Sequence, residues 1–161
     1  MKDILEILEK DARITPQEIA KMVGRSVESV KKAIKKMETD GIILKYKTVL
    51  NSEMLREEGS GVRALIEVKV TPQKGLGFDN VAERIYQFPE VTSCYLMSGT
   101  YDLLVVVEAK SLHAISDFVS EKLSSIQHVR GTVTHFILKK YKENGDLLKQ
   151  PPQDKRQAIL L

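Results

Sequence analysis

The chain has 161 residues, of which 42% are hydrophobic and 29% charged, and its formal net charge at pH 7 is +3. This composition is typical of a globular protein and excludes a wholly disordered chain. No apolar run reaches the ~18 residues of a membrane span, and no signal peptide is readable, so we expect a cytoplasmic protein that does not enter a membrane. The single cysteine, Cys94, excludes a disulfide framework and a cysteine zinc site.

The charge is unevenly distributed along the chain. Residues 1–50 contain 11 Lys and Arg against 8 Asp and Glu, whereas residues 51–161 contain 14 of each kind. Within residues 21–47 the balance is 8 basic to 3 acidic residues. A basic segment in an otherwise neutral chain indicates a nucleic-acid-binding surface, although a solvated lysine-rich helix face gives the same count.

The N-terminal part of the chain has the pattern of three helices joined by tight turns. Apolar residues recur at helical spacing in each of the three segments. Thr15, which precedes Pro16, is a good N-cap for the second helix, and Ser26 is a good N-cap for the third. Gly24 lies between these two helices and supplies a tight turn at little steric cost.

The spacing of small and apolar residues predicts a helix-turn-helix and not a plain three-helix bundle. Ala20 permits a close helix crossing, while Val30 and Ala33 pack the third helix onto the second. Such a crossing leaves the first turns of the third helix free to enter a major groove of DNA.

The candidate DNA contacts fall into two groups. The candidates for base contact are Val27, Glu28, Ser29, Lys31 and Lys32. The candidates for phosphate contact are Arg25, Ser26, Lys35, Lys36, Lys45 and Lys47, with Ser26 lying at a helix N-terminus. Glu28 has a second interpretation, since its carboxylate could cap its own helix.

From residue 62 onward the hydrophobic period changes. Strands are predicted at 62–70, 91–97, 103–107 and 129–141, with helices at 78–88 and 111–124. This order is the ferredoxin-like βαββαβ arrangement. The continuous apolar run 103–107 is typical of a central strand that is buried on both faces.

We therefore expect an α+β protein in which a winged-type helix-turn-helix precedes a ferredoxin-like βαββαβ domain. Residues 42–49 predict a short β-extension at the end of the first domain. The expected boundaries are 1–50 for the helix-turn-helix domain, 51–61 for a Gly- and Ser-containing linker, 62–142 for the second domain and 143–161 for a mostly irregular tail.

Four groups of motifs together resemble the leucine-responsive and asparagine-regulator family of prokaryotic transcription factors, also called Lrp/AsnC or feast/famine regulators. The resemblance covers residues 1–142. Its motifs are Ile4-Leu5-Glu6-Ile7-Leu8 with Asp11-Ala12-Arg13-Ile14, then Glu18-Ile19-Ala20 through Gly41-Ile42-Ile43, then Gly99-Thr100-Tyr101-Asp102, and finally Val129 with Gly131-Thr132 and Thr134. One departure is Arg25, which stands where the family usually has an apolar residue.

The resemblance implies a sequence-specific transcriptional regulator that binds double-stranded DNA. It implies a homodimer formed through the βαββαβ sheets, with association of dimers into tetramers or octamers. It also implies that an amino acid or related metabolite binds between dimers and changes DNA affinity. The effector-binding candidates are Gly99, Thr100, Tyr101, Asp102, Thr132 and Thr134.

The chemistry of these six residues suits an α-amino acid. Asp102 could accept hydrogen bonds from an ammonium group, while backbone N–H groups of the turn and the two threonine hydroxyls could donate to a carboxylate. The alternative is an ordinary hairpin turn, in which Gly99 supplies a positive φ and Asp102 bonds its own backbone.

Catalytic and metal chemistry are not expected. His113, His128 and His135 do not have metal-ligand spacing, and no phosphate loop, dinucleotide fingerprint or nucleophile elbow is present. We therefore expect no cofactor and no catalytic residue. Two alternatives remain open at this point: an enzyme similar to haem-pathway decarboxylases on the same scaffold, and a nucleoid-organising protein that bends DNA.

Overall fold

The computed structural model describes residues 2–50, 61–72, 75 and 77–148. The chain divides into two compact units, Met1–Leu50 and Asn51–Leu161. Residues 51–60 of the predicted linker and 149–161 of the predicted tail lie outside the described residues.

The first unit contains the three predicted helices. They are α1 (Lys2–Lys10), α2 (Pro16–Val23) and α3 (Val27–Thr39). Their buried side chains form one small core, made of Ile4, Ile19, Ala20, Val30 and Met37. Helix α1 ends at Lys10, and just beyond it the Asp11 carboxylate accepts a hydrogen bond from the Arg13 N–H at 2.9 Å, as in a turn.

Caps determine where α2 and α3 begin. The Thr15 hydroxyl accepts a hydrogen bond from the Glu18 N–H at 3.3 Å, and the Glu18 carboxylate accepts one from the Thr15 N–H at 2.9 Å. These reciprocal bonds form a capping box. The Thr15 hydroxyl also donates to the Glu18 carboxylate at 2.7 Å, and this bond, together with the one from the Thr15 N–H, lowers the pKa of Glu18. The Ser26 hydroxyl caps α3 by accepting from the Ser29 N–H at 3.2 Å. Gly24 adopts φ 65°, so the predicted left-handed turn between the helices is confirmed.

The predicted β-extension at 42–49 is wrong for the single chain. Residues 44–50 have no regular secondary structure, and the N–H groups of Ile42 and Ile43 both donate to the Met37 carbonyl, at 2.8 and 3.0 Å. A strand requires a neighbouring strand for its backbone hydrogen bonds. The described part of this unit is otherwise helices and turns, so the segment folds back onto the end of α3.

The second unit contains the predicted βαββαβ arrangement. Its elements are β1 (Val62–Val70), α4 (Asp79–Tyr86), β2 (Val91–Leu96), β3 (Leu103–Ala109), α5 (Leu112–Asp117), which continues as a π-helical segment (Phe118–Leu123), and β4 (Val129–Phe136). The sheet order is β2-β3-β1-β4, and every pairing is antiparallel. The last strand ends at Phe136 and not at residue 141 as predicted.

Alternation along the strands gives the sheet one covered and one open face. Both helices pack on the face that carries Ile66, Val68 and Val105, and these side chains are fully buried. The apolar run 103–107 was expected to be buried on both faces. Instead Leu104 and Val106 are only half-buried, because they belong to the face that the two helices do not cover.

A hairpin extends the second unit beyond its predicted end. Strands β5 (Lys142–Glu143) and β6 (Asp146–Leu147) pair across a two-residue turn. Asn144 and Gly145 have φ values of 50° and 96°, as a type I′ turn requires. Residues 143–147 are therefore ordered and do not belong to an irregular tail.

Asp102 ties the end of β3 to the end of β1. Its N–H donates to the Val68 carbonyl at 3.1 Å, and its carboxylate accepts from the Val70 N–H at 2.7 Å. The carboxylate therefore completes the β1–β3 ladder where strand pairing ends at Leu103. The bond joins two strands, so it differs from the local turn bond considered for Asp102.

We predict that Asp102→Ala lowers the free energy of unfolding by about 1–3 kcal/mol, because the half-buried Val70 N–H loses its acceptor. Asp102→Asn retains an acceptor oxygen and serves as the matched control, with a smaller loss. Urea denaturation followed by circular dichroism measures both. Equal stability of Asp102→Ala and the unmodified protein would contradict this role.

Candidate functional site

Helix α3 presents a basic face to solvent. Val30 and Met37 are fully buried against α1 and α2. Since helical residues advance by ~100° each, the side opposite these two carries Glu28, Lys31, Lys32 and Lys35, all exposed. Lys36 is also exposed, and it lies as close to the centre of this face as Lys31 does. The residues of this face do not pack in the core, so the face can enter a major groove of DNA.

The start of α3 combines capping with exposed polar groups. Arg25 is exposed at the turn, so this position does not need the apolar residue that the resemblance led us to expect. Ser26 caps the helix, and Ser29 is exposed beside it. Val27 is half-buried and packs against the small core, which leaves only part of its side chain available to a partner.

Glu28 does not form a capping box with Ser26. It occupies the second helical position, and the bond to the Ser26 hydroxyl comes from Ser29 at the third. No hydrogen bond joins the Glu28 carboxylate to another residue in the described ranges. Its acceptor oxygens are therefore available, as contact with a cytosine amino group would require.

Sequence reasoning missed the contact that positions Lys45 and Lys47. The Tyr46 hydroxyl donates to the Glu38 carboxylate at 2.9 Å, which holds the segment after α3 against that helix. Burial and this hydrogen bond raise the pKa of Tyr46. The apolar residues of 42–49 had suggested a strand. A tyrosine eight residues after a glutamate, as Tyr46 follows Glu38, is not a sequence pattern that predicts a hydrogen bond between them.

The cations of this surface have no ion-pair partner among the described residues 2–50 of the unit. No ion pair forms, among the residues that the structure describes, at Arg25, Lys31, Lys32, Lys35, Lys36, Lys45 or Lys47. Unpaired cations next to an exposed helix N-terminus suit the phosphates that flank a DNA groove.

The predicted effector residues lie at one end of the sheet. Residues 98–101 form the loop between β2 and β3, which closes through a bond from the Met97 N–H to the Asp102 carbonyl at 2.8 Å. Gly99 and Thr100 are exposed and Tyr101 is half-buried. Gly99 does not have a positive φ, so the turn geometry considered in the alternative does not occur.

Thr132 and Thr134 lie on the other side of β1 from this loop. They are half-buried opposite Val68 and Ile66, so they face the helix-covered side. Two strands that flank a third are about 10 Å apart. The structure thus brings Asp102 and Thr132 to the same end of the sheet, with β1 between them, while Thr134 lies one residue pair further away.

The described residues contain little that suggests catalysis. They include no group of three or more His, Cys, Asp and Glu that could hold a metal ion. His135 pairs with Glu67, at 3.1 Å from the carboxylate oxygen. Cys94 is half-buried, and burial raises the pKa of its thiol. None of the helices described is both long and apolar enough to cross a bilayer.

Both units match known protein families. A family model described as the Lrp/AsnC ligand binding domain matches residues 63–147, and one described as winged helix-turn-helix DNA-binding matches residues 1–43. The HTH-type transcriptional regulator YugG of Bacillus subtilis (strain 168) is 48% identical over 157 residues, which cover 98% of this chain and 94% of that protein.

Solved structures agree with these matches. The structure of E. coli AsnC is 25% identical, with a TM-score of 0.69, and the match covers 88% of this chain and 92% of that one. A transcriptional regulator from Neisseria meningitidis in complex with L-methionine is 27% identical, with a TM-score of 0.68, and the match covers 91% and 93%.

These relatives are regulators, which favours neither the decarboxylase-like nor the nucleoid-organising alternative. The two family models match the helix-turn-helix and the βαββαβ unit, respectively. The chain therefore belongs to the Lrp/AsnC family of DNA-binding transcriptional regulators, and it is not an enzyme.

Proposed function

We propose that this chain regulates transcription in the cytoplasm by placing the start of α3 in a major groove of double-stranded DNA. The exposed basic face of α3 is the observation that carries this proposal. In the proposal the regulator acts as a homodimer or larger oligomer, and an amino acid adjusts its assembly and thereby its affinity for DNA.

The division of roles on DNA follows from exposure. Glu28, Lys31 and Lys32 lie in the first turns of α3 on its exposed side, where a helix that enters the groove contacts base edges. Ser29 is a base-contact candidate at the edge of this side, and Val27 offers only a partial apolar contact. Arg25, Ser26 and Lys35 lie where phosphate contact is expected, and Lys36, Lys45 and Lys47 are further exposed candidates.

We predict that Lys31→Gln with Lys32→Gln weakens binding to genomic fragments selected by the protein by at least about tenfold, since each contact to a base is worth about 1–3 kcal/mol. Lys2→Gln with Lys10→Gln removes the same charge from α1 and is the control. Fluorescence anisotropy at several salt concentrations measures both. Affinity equal to that of the control would contradict the proposed interface, and a selection without a shared sequence would favour the nucleoid-organising alternative.

The open face of the sheet supports a homodimer. Leu65, Leu104 and Val106 are half-buried on this face, and Tyr95 and Val133 are 52% and 51% exposed. Contiguous apolar surface of this kind marks an interaction site. On the same face Arg63 forms an ion pair with Glu108, and the His135 imidazole lies 3.1 Å from the Glu67 carboxylate, so both carboxylates have a partner within the chain.

We predict that Leu104→Lys converts the oligomer to a monomer, because the lysine places an unpaired charge in a dehydrated interface. Leu112→Lys, at an exposed leucine of α5, is the control and leaves the assembly unchanged. Sedimentation velocity gives the masses, and circular dichroism verifies that both variants fold. A folded Leu104→Lys variant with the mass of the unmodified protein would overturn this assignment.

An amino-acid effector is supported by the loop at 98–101 and by the Neisseria meningitidis regulator, whose structure contains L-methionine. A Cβ added at Gly99 would have no neighbour within 4 Å, so a ligand can approach the backbone there. The threonines lie across β1 from this loop, about 10 Å away. In our proposal a second copy of the chain, from another dimer, closes the remaining side of the site, in agreement with a ligand held between dimers.

We predict that L-methionine or another amino acid raises the Tm of the oligomer in a concentration-dependent manner, since a ligand that binds only the folded state stabilises it. Thr132→Val removes one hydroxyl with little change of shape and is expected to reduce that shift. Differential scanning fluorimetry with each of the twenty amino acids is the measurement. No shift with any of them would contradict an amino-acid effector.

A further inference from the structure

An open cleft lies at the opposite end of β1 from the proposed effector region. It has a volume of about 550 Å³ and lies between the start of β1 and the chain from Ile137 to Asn144. Arg63 and Val70 are seven residues apart on an extended strand, a separation of roughly 24 Å. The cleft is therefore separate from the loop at 98–101.

The lining of this cleft is strongly basic. Four of its residues are cations and one is an anion, and the lining consists of Arg63, Ile137, Lys139, Lys140, Tyr141, Lys142, Glu143 and Asn144. Lys139 stands over the Tyr141 ring, with its Nζ 5.2 Å from the ring centroid. Lys139 and Lys142 have no ion-pair partner within the described part of the chain. Two of the four charges are thus unneutralised.

The one carboxylate in the cleft lining, Glu143, shows that the cations of the cleft can bind a carboxylate group. Glu143 pairs with the Arg63 guanidinium and with the Lys140 ammonium, the latter at 3.0 Å. Hydrogen bonds from Lys140 and Arg63 lower the pKa of Glu143 in spite of its partial burial. The side chains of Arg63 and Glu143 are only 23% and 26% exposed, so this pair is better shielded than an ordinary surface ion pair.

Glu143 is held beside β1 by contacts that a competing anion can replace. Glu143 belongs to β5, a strand of two residues, and a two-stranded hairpin of this size has little stability of its own. Its ion pairs with Arg63 and Lys140 hold it beside β1, together with the bond from the Ile137 N–H to the Arg63 carbonyl at 3.0 Å. The Arg63 guanidinium also donates to the Glu108 carboxylate at 3.3 Å, so an anion that binds it competes with two carboxylates, of which only Glu143 belongs to the cleft lining.

We propose that this cleft binds a small organic or inorganic anion that carries carboxylate or phosphate groups, held by Lys139, Lys142 and Arg63, with Glu143 as the internal carboxylate that competes with it. Arg63 supplies a planar fork of donors suited to both groups. Tyr141 and Ile137 supply an apolar wall for the carbon part of an organic ligand. Arg63 is half-buried beside this wall and Lys139 and Lys142 are exposed, so a small anion can reach all three cations.

The test uses the full-length protein and isothermal titration calorimetry with two probes, citrate for the carboxylate and inorganic phosphate for the phosphate group. Lys139→Gln with Lys142→Gln is expected to weaken binding of the preferred probe by about tenfold, as the loss of charge-assisted hydrogen bonds predicts. Lys69→Gln with Lys110→Gln removes two exposed lysines elsewhere on the same unit and is the control, with less than about a twofold effect.

A third variant separates ligand binding from a structural role. Glu143→Gln removes the competing charge, so it is expected to tighten binding of the probe by several-fold, whereas a purely structural role would leave binding unchanged or weaker. Circular dichroism and Tm establish that each variant is folded. L-methionine, which has no net charge, is expected not to compete with the probe.

Three outcomes would overturn the proposal. The first is no binding of either probe by the unmodified protein at millimolar concentration. The second is an equal loss in the two double-lysine variants, which would indicate diffuse electrostatic attraction. The third is unchanged anion binding in Lys139→Gln with Lys142→Gln together with weaker DNA binding, which would assign these lysines to DNA phosphates.

Discussion

Strand β1 pairs with β3 on one side and β4 on the other, and this central position governs the second unit. Because its side chains alternate, Ile66 and Val68 enter the core while Leu65 and Glu67 face away from the helices. A sheet with helices on only one face leaves its other face to solvent or to a partner. The proposed dimer face is a direct consequence of this pairing.

The two proposed ligand-binding regions of the unit, the loop at 98–101 and the basic cleft, lie at opposite ends of β1. Asp102 completes the hydrogen bonding of its last residues, and Arg63 binds Glu143 of the hairpin near its first. In both places a carboxylate from a distant part of the chain binds a donor on β1. Electrostatic contacts at the strand ends thus determine which polar groups are left for the two ligands that we propose, an amino acid at one end and an anion at the other.

The helix-turn-helix is organised by local interactions. The capping box of Thr15 and Glu18, the left-handed Gly24 and the cap at Ser26 each involve residues within four positions of one another. Helices α2 and α3 are then held together by a small core of five buried side chains, with partly buried hydrophobic residues packed around it. The exposed side of α3 bears no part of this core, so its sequence is free to serve DNA recognition.

Sequence alone determined the features that depend on short spacing. These are the three helices with their caps, the order of the βαββαβ elements, and the side of α3 that carries lysine, because propensity, capping and periodicity act over a few residues. The Asn144-Gly145 turn was also present as a signal, but the strands that it joins are only two residues long and have no readable period.

Only the tertiary structure decided the contacts between distant residues. Leu104 proved half-buried because the helices cover one face, and Asp102 proved to be an acceptor for Val70, 32 positions away. Tyr46 binds Glu38 where alternation suggested a strand, and Arg63 meets Glu143 across 80 positions. Such contacts depend on how strands are paired and which faces are covered, and those choices follow from the burial of the whole core, which no local pattern records.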